Sequence, residues 1–132
     1  MTAIEQENQS ALPAAARAVL YVCVEQGRQM PALATERATA EGKQFAKSRG
    51  LTIVDTITDP YGEPVPLRRK GWTRVRGMAE RAEVGTVIVR WPAAIAPEGS
   101  QELRHREIRW LHDHGVQIRY SWEPLARDGE AR

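Results

Sequence analysis

Ala18-Val-Leu-Tyr-Val-Cys-Val24 is an unbroken apolar run rich in β-branched residues, and it follows a polar, Ala-rich opening. A strand with one wet face alternates apolar and polar side chains, whereas a strand covered on both faces of a parallel sheet does not. The run therefore reads as a doubly buried strand. Upstream, Met1 to Ala16 is polar, then alanine-rich, and interrupted by Pro13, which predicts a flexible tail over 1–16.

Working downstream, a polar loop from Glu25 to Pro31 leads to a helix expected from Ala32 to Arg49, with Ala34, Ala38, Phe45 and Ala46 on one face and Gly50 as its stop. Leu51-Thr-Ile-Val-Asp-Thr-Ile-Thr58 reads as a second strand. Asp59-Pro-Tyr-Gly-Glu-Pro-Val-Pro66 is too rich in proline to be anything but a loop. Trp72, Val75, Ala79 and Ala82, with Met78 beside them, recur at helical spacing and mark a second helix starting near Gly71. Thr86 to Trp91 is a third strand ended by Pro92. Ser100 is the expected N-cap of a third helix carrying Leu103, Ile108 and Leu111, with Glu102 in its first turn and Gly115 beyond its end. Val116 to Trp122 is the last strand, leaving a tail over 124–132.

Strands alternating with helices through short connections predict a Rossmann-like three-layer α/β domain over 17–123, built on a mainly parallel four-stranded sheet. Ligand and reaction sites in such sheets gather at the carboxyl ends of the strands, here the segments after Val24, Thr58, Trp91 and Trp122.

Composition bounds the function. The chain has 132 residues, enough for one core, with 42% hydrophobic and 27% charged side chains, so it should fold. No apolar run approaches the length of a membrane span and no cleavable leader opens the chain, so a cytoplasmic location is expected. Cys23 is the single cysteine, which excludes an internal disulfide and a cysteine cage for metal. A formal charge of +2 predicts no strong non-specific hold on nucleic acid.

Several motifs, taken in order, resemble the catalytic domain of the serine recombinases (the resolvase/invertase family) over roughly Arg17 to Trp122. The family's first strand ends in Tyr-x-Arg-Val-Ser, and here the same place reads Tyr21-Val22-Cys23-Val24-Glu25. An Asp-Arg-x-Gly motif at a helix start is matched by Arg68-Arg69-Lys70-Gly71. Aligning Thr86-Val-Ile-Val89 without a gap sets Ala93, Ala94, Ile95, Ala96 and Pro97 on the family's Asp-Arg-Leu-x-Arg cluster. Gly115-Val-Gln-Ile-Arg-Tyr120 is similar to its last core strand. The resemblance implies a sheet order of 2-1-3-4, with Arg69 as the retained active-site arginine.

It also implies that cleavage is lost. The family reaction is a phosphoryl transfer begun by a serine hydroxyl, and its transition state needs cationic donors. Glu25 stands where the serine should be and brings a negative charge to a polyanion; two unit charges about 4 Å apart at an effective dielectric of about 20 interact by roughly 4 kcal/mol, here repulsively. Cys23, Ala94 and Pro97 replace arginines, and Ala93 replaces the aspartate. The expectation is a pseudoenzyme without cofactor or metal that acts as a protein-interaction or regulatory module, its partner a second copy or another protein. A helix for dimerisation and a helix-turn-helix domain, which follow the family's last core strand, are not expected in the ten residues after Trp122.

Two alternatives stand beside it. One is a small enzyme or ligand-binding domain with a reinvented site at the strand ends, using Cys23 as a thiol nucleophile, Glu25, Arg69 or the prolyl loop. The other is DNA binding without cutting, through Arg68, Arg69, Lys70 and Arg74, with Arg76 nearby. Among four tryptophans, Trp72, Trp110 and Trp122 are candidate interface residues. His105, His112, His114 and Asp113 form a conceivable zinc set, although histidines in a last helical turn also serve the helix dipole.

Overall fold

The computed structural model describes residues 12–25 and 29–122. Four strands, β1 (Arg17–Val22), β2 (Thr52–Thr58), β3 (Thr86–Val89) and β4 (Gln117–Tyr120), alternate with α1 (Pro31–Ser48), α2 (Lys70–Glu80) and α3 (Gln101–Asp113). The strands pair in the order β2-β1-β3-β4, and every pairing is parallel. This is the sheet order and architecture expected.

β1 explains why its sequence does not alternate. Val19, Tyr21 and Cys23 point into a core shared with Trp72 and Val75 of α2 and Leu111 of α3. Ala18, Leu20, Val22 and Val24 point the other way, into a core shared with Ala38, Phe45 and Ala46 of α1. Both faces are dry, so period 2 leaves no trace in hydrophobicity. Gly42 lets α1 lie close, since a Cβ there would run into the δ-methyls of Leu20.

The ends of the elements differ from the sequence reading in informative ways. β3 stops at Val89 and β4 at Tyr120, short of Trp91 and Trp122, although Ser121 N and Trp122 N still donate to the Val89 and Arg90 carbonyls beyond those ends. Ala82 lies outside α2 with φ 56°, having left the helix in the left-handed region that favours glycine. Ser100 occupies the N-cap position of α3, yet its side chain makes no capping hydrogen bond. Ala14–Ala16, expected at the end of a tail, form a short 3₁₀ turn packed on the sheet. There Thr86 Oγ1 donates to the Ala15 carbonyl at 2.8 Å. Gly85 is required beneath this turn, because a Cβ would meet the Ala14 backbone at 2.5 Å. Residues 1–11 of the N-terminal tail and the tail over 124–132 lie outside the described residues.

Candidate active-site cavity

The carboxyl ends of β1 and β3 open into a cavity of about 530 Å³. Cys23 and Glu25 follow β1 into it, Arg69 enters from the start of α2, and Ala93 and Pro97 come from the segment after β3. Sequence motifs scattered over more than seventy positions thus meet at one place. Ala94 is buried behind the wall and contributes its carbonyl rather than its side chain.

Arg69 is 6% exposed, and its guanidinium is held from several directions. Nε donates to the Glu63 carbonyl at 2.8 Å, and Nη1 donates to the Ala94 carbonyl at 2.7 Å and to Tyr21 Oη at 3.3 Å. Arg69 therefore ties the prolyl loop, β1 and the segment after β3 together, which is the loop-holding role that carbonyl contacts give a buried guanidinium.

Asp59 is the residue that motif reading missed. It is buried at the end of β2, where its carboxylate accepts from Tyr21 Oη at 2.7 Å, Gly71 N at 2.7 Å and Trp72 N at 2.9 Å. The two amides are unpaired first-turn donors of α2, and a carboxylate is the group that both the free N–H groups and the helix dipole favour there. Gly71 is needed for this approach, because a Cβ would meet Asp59 Oδ1 at 2.7 Å. The one signal in the sequence was an aspartate directly before the prolyl loop, with no hint of the partner twelve residues on.

The thiol of Cys23 is pushed up from its ordinary range by burial, an effect the Arg69 charge only partly opposes. Its Sγ donates to the Pro60 carbonyl at 3.7 Å. A reactive cysteine needs the opposite, a stabilised thiolate. Tyr21 is likewise pushed up, first by burial and then by donating to Asp59, so its phenol stays protonated. Glu25 is exposed at the cavity mouth.

Tyr61 and Glu63 of the prolyl loop also line the cavity, as do Arg90, Trp91 and Glu98, which the sequence did not single out as a site there. Arg90 Nε lies 3.5 Å from Glu41 Oε2, and Glu41 Oε1 accepts from Ser121 Oγ at 3.0 Å. The Arg90 guanidinium also sits 4.5 Å from the Trp91 ring centroid.

The basic cluster does not form one patch. Arg68 and Lys70 are exposed, Arg69 is buried, and Arg74 pairs with Asp55 at 3.0 Å. Arg76 Nε lies 3.2 Å from Glu107 Oε1, too bent for a hydrogen bond, with its guanidinium 3.8 Å from the Trp110 ring centroid. Trp72, expected at an interface, is instead wholly buried, its Nε1 donating to Glu107 Oε1 at 2.6 Å. Its position on the inner face of α2 decides this. Trp110 is half-buried against Arg76 and His114. Trp122 is 43% exposed and meets Trp91 edge-on at 5.4 Å. The histidines of α3 do not converge: among the described residues no three His, Cys, Asp or Glu side chains are placed to hold a metal ion. His114 Nδ1 is 2.8 Å from the Trp110 carbonyl instead.

No protein-family model matches this sequence, and no curated protein matches it. Solved structures do. The C-terminal catalytic domain of ISC1926 TnpA, an IS607-like serine recombinase, superposes with a TM-score of 0.66 at 22% identity, covering 80% of this chain and 67% of that one. The N-terminal catalytic domain of TP901-1 integrase gives 0.66 at 15% identity over 81% of this chain and 78% of its own. A resolvase family site-specific recombinase from Streptococcus pneumoniae gives 0.63 at 17% identity, covering 81% and 72%. The fold of this chain is that of the serine recombinase catalytic domain.

Proposed function

We propose that this chain is a resolvase-fold domain that does not cleave DNA and acts by binding, with a protein, either a second copy or another chain, as its partner. One observation carries the reading. The place where the fold's chemistry would sit is lined by Glu25, Cys23, Ala93 and Pro97, and the one arginine matched there, Arg69, has its Nε and Nη1 committed to two carbonyls and a phenol. Attack on a phosphodiester needs an activated oxygen and several cationic donors free to meet developing charge. Loss of a single preorganised donor costs about 100- to 1,000-fold in rate, and here the nucleophile is gone too.

Trp91 and Trp122, which meet edge-on and are exposed at 36% and 43%, support a partner surface beside the cavity. Exposed tryptophan next to arginine is the composition of binding hot spots, and Arg90 supplies the arginine.

The test is incubation of the purified protein with supercoiled plasmid, followed by denaturing electrophoresis for nicked DNA and for a covalent protein–DNA adduct. Neither product is expected. Strand scission that disappears on Arg69→Ala or Glu25→Ala would overturn the reading. Partner binding is tested separately by light scattering across a concentration series and by capture from lysate, comparing the protein with Trp122→Ala.

A further inference from the structure

The cavity beside Glu25 has a lining that loss of cleavage does not explain. Its volume of about 530 Å³ lies within the range of small-ligand sites, on the order of 300–1,000 Å³. Three carboxylates, Glu25, Glu63 and Glu98, share its wall with two guanidinium groups, those of Arg69 and Arg90. Arg90 is paired with Glu41, which leaves Arg69, bonded only to neutral carbonyls and the Tyr21 phenol, as the one guanidinium to set against the three carboxylates of this wall. Glu25 and Glu98 are exposed and have no partner among the described residues. The charge left to act on a ligand is negative, the reverse of what a phosphate requires.

The aromatic residues point the same way. Tyr61 is 58% exposed in the cavity wall. Trp91, also in the wall, already holds a cation, since the Arg90 guanidinium sits 4.5 Å from its ring centroid. A ring face bordered by carboxylates attracts an ammonium or guanidinium group through its quadrupole, while Val24, Ala34 and Pro97 supply apolar wall for a stem.

We propose that this cavity binds an organic cation, an ammonium or guanidinium group on a short apolar stem, with Glu25 and Glu98 as counter-charges and Tyr61 as its π partner. The proposal rests on the domain's acting by binding rather than by cleavage. The cation is carried either by a free amine or by an arginine or lysine side chain of a protein.

Titration calorimetry and amide chemical-shift mapping with agmatine, with a blocked Gly-Arg-Gly peptide, and with inorganic phosphate test it. Saturable binding of agmatine or the peptide is expected, with shifts confined to the cavity wall and no phosphate binding. Tighter binding of the peptide would assign the cation to a protein, and tighter agmatine binding to a free amine. Glu25→Gln and Tyr61→Ala should each weaken the cation by about tenfold, whereas Glu102→Gln on α3 should leave it unchanged. Both altered cavity side chains are exposed, so the fold is not at stake. Phosphate binding in place of agmatine, or no saturation by either cation below about 10 mM, would overturn the proposal. Either result would leave the plasmid assay for cleavage untouched.

Discussion

Asp59 is buried but accepts three hydrogen bonds, from the Tyr21 hydroxyl and the amides of Gly71 and Trp72. A charged acceptor that satisfies free helix amides is stabilising, and removing it strands those donors in a dry place. Asp59→Ala should therefore cost about 2–3 kcal/mol in urea denaturation, and Asp59→Asn distinctly less, because the amide oxygen still accepts. Cys23 and Tyr21 make a second residue-scale prediction. Burial raises both pKa values in the folded protein, so the folded state holds these protons more tightly than the unfolded chain. That contribution is fully present below the ordinary thiol pKa of about 8.5 and is lost as pH rises through the higher folded values. Stability should fall as pH rises above about 8.5, and further above about 10 where the unfolded tyrosine also ionises, with Cys23→Ala removing the thiol's share of the slope. Alkylation of Cys23 by iodoacetamide at neutral pH should be slower than that of a free thiol.

At the scale of elements, the contact between α2 and α3 turns on one buried carboxylate. Glu107 accepts from the Trp72 indole and lies at ion-pair distance from Arg76, which in turn covers Trp110. Breaking a buried pair by deleting one partner leaves the other uncompensated and costs about 3–5 kcal/mol. Arg76 is only partly buried, so the lower end applies. Glu107→Ala should lose about 3 kcal/mol by chemical denaturation and Glu107→Gln less, since the indole bond survives. This network was invisible in the helical pattern, where Glu107 is one charged residue among many on α3. Periodicity locates a face, but a carboxylate on it is indistinguishable from a solvated one until the facing helix is known.

For the molecule as a whole, charge decides how DNA is met. A net formal charge of +2 gives no strong overall pull on DNA, and with Arg69 buried and Arg74 paired, only Arg68 and Lys70 of the basic cluster are exposed and without a charged partner among the described residues, so this cluster offers few cations to phosphates. Each neutralised phosphate adds about one unit to the slope of log affinity against log salt. Gel retardation of duplex DNA, if seen at low salt, should vanish by about 0.15 M; a complex that persists there would show a basic surface elsewhere.

Sequence alone determined the order of the elements and the doubly covered first strand, because local hydrophobic runs and turn residues carry that information directly. It also singled out Cys23, Glu25, Arg69, Ala93 and Pro97, which the fold brings to the wall of one cavity. Only the tertiary structure decided that Trp72 is inside, that Arg69 holds the Glu63 and Ala94 carbonyls, and that Asp59 meets the first amides of α2 from the end of β2. These depend on which groups of distant segments come within hydrogen-bond reach, a property of the packed chain that no local pattern encodes.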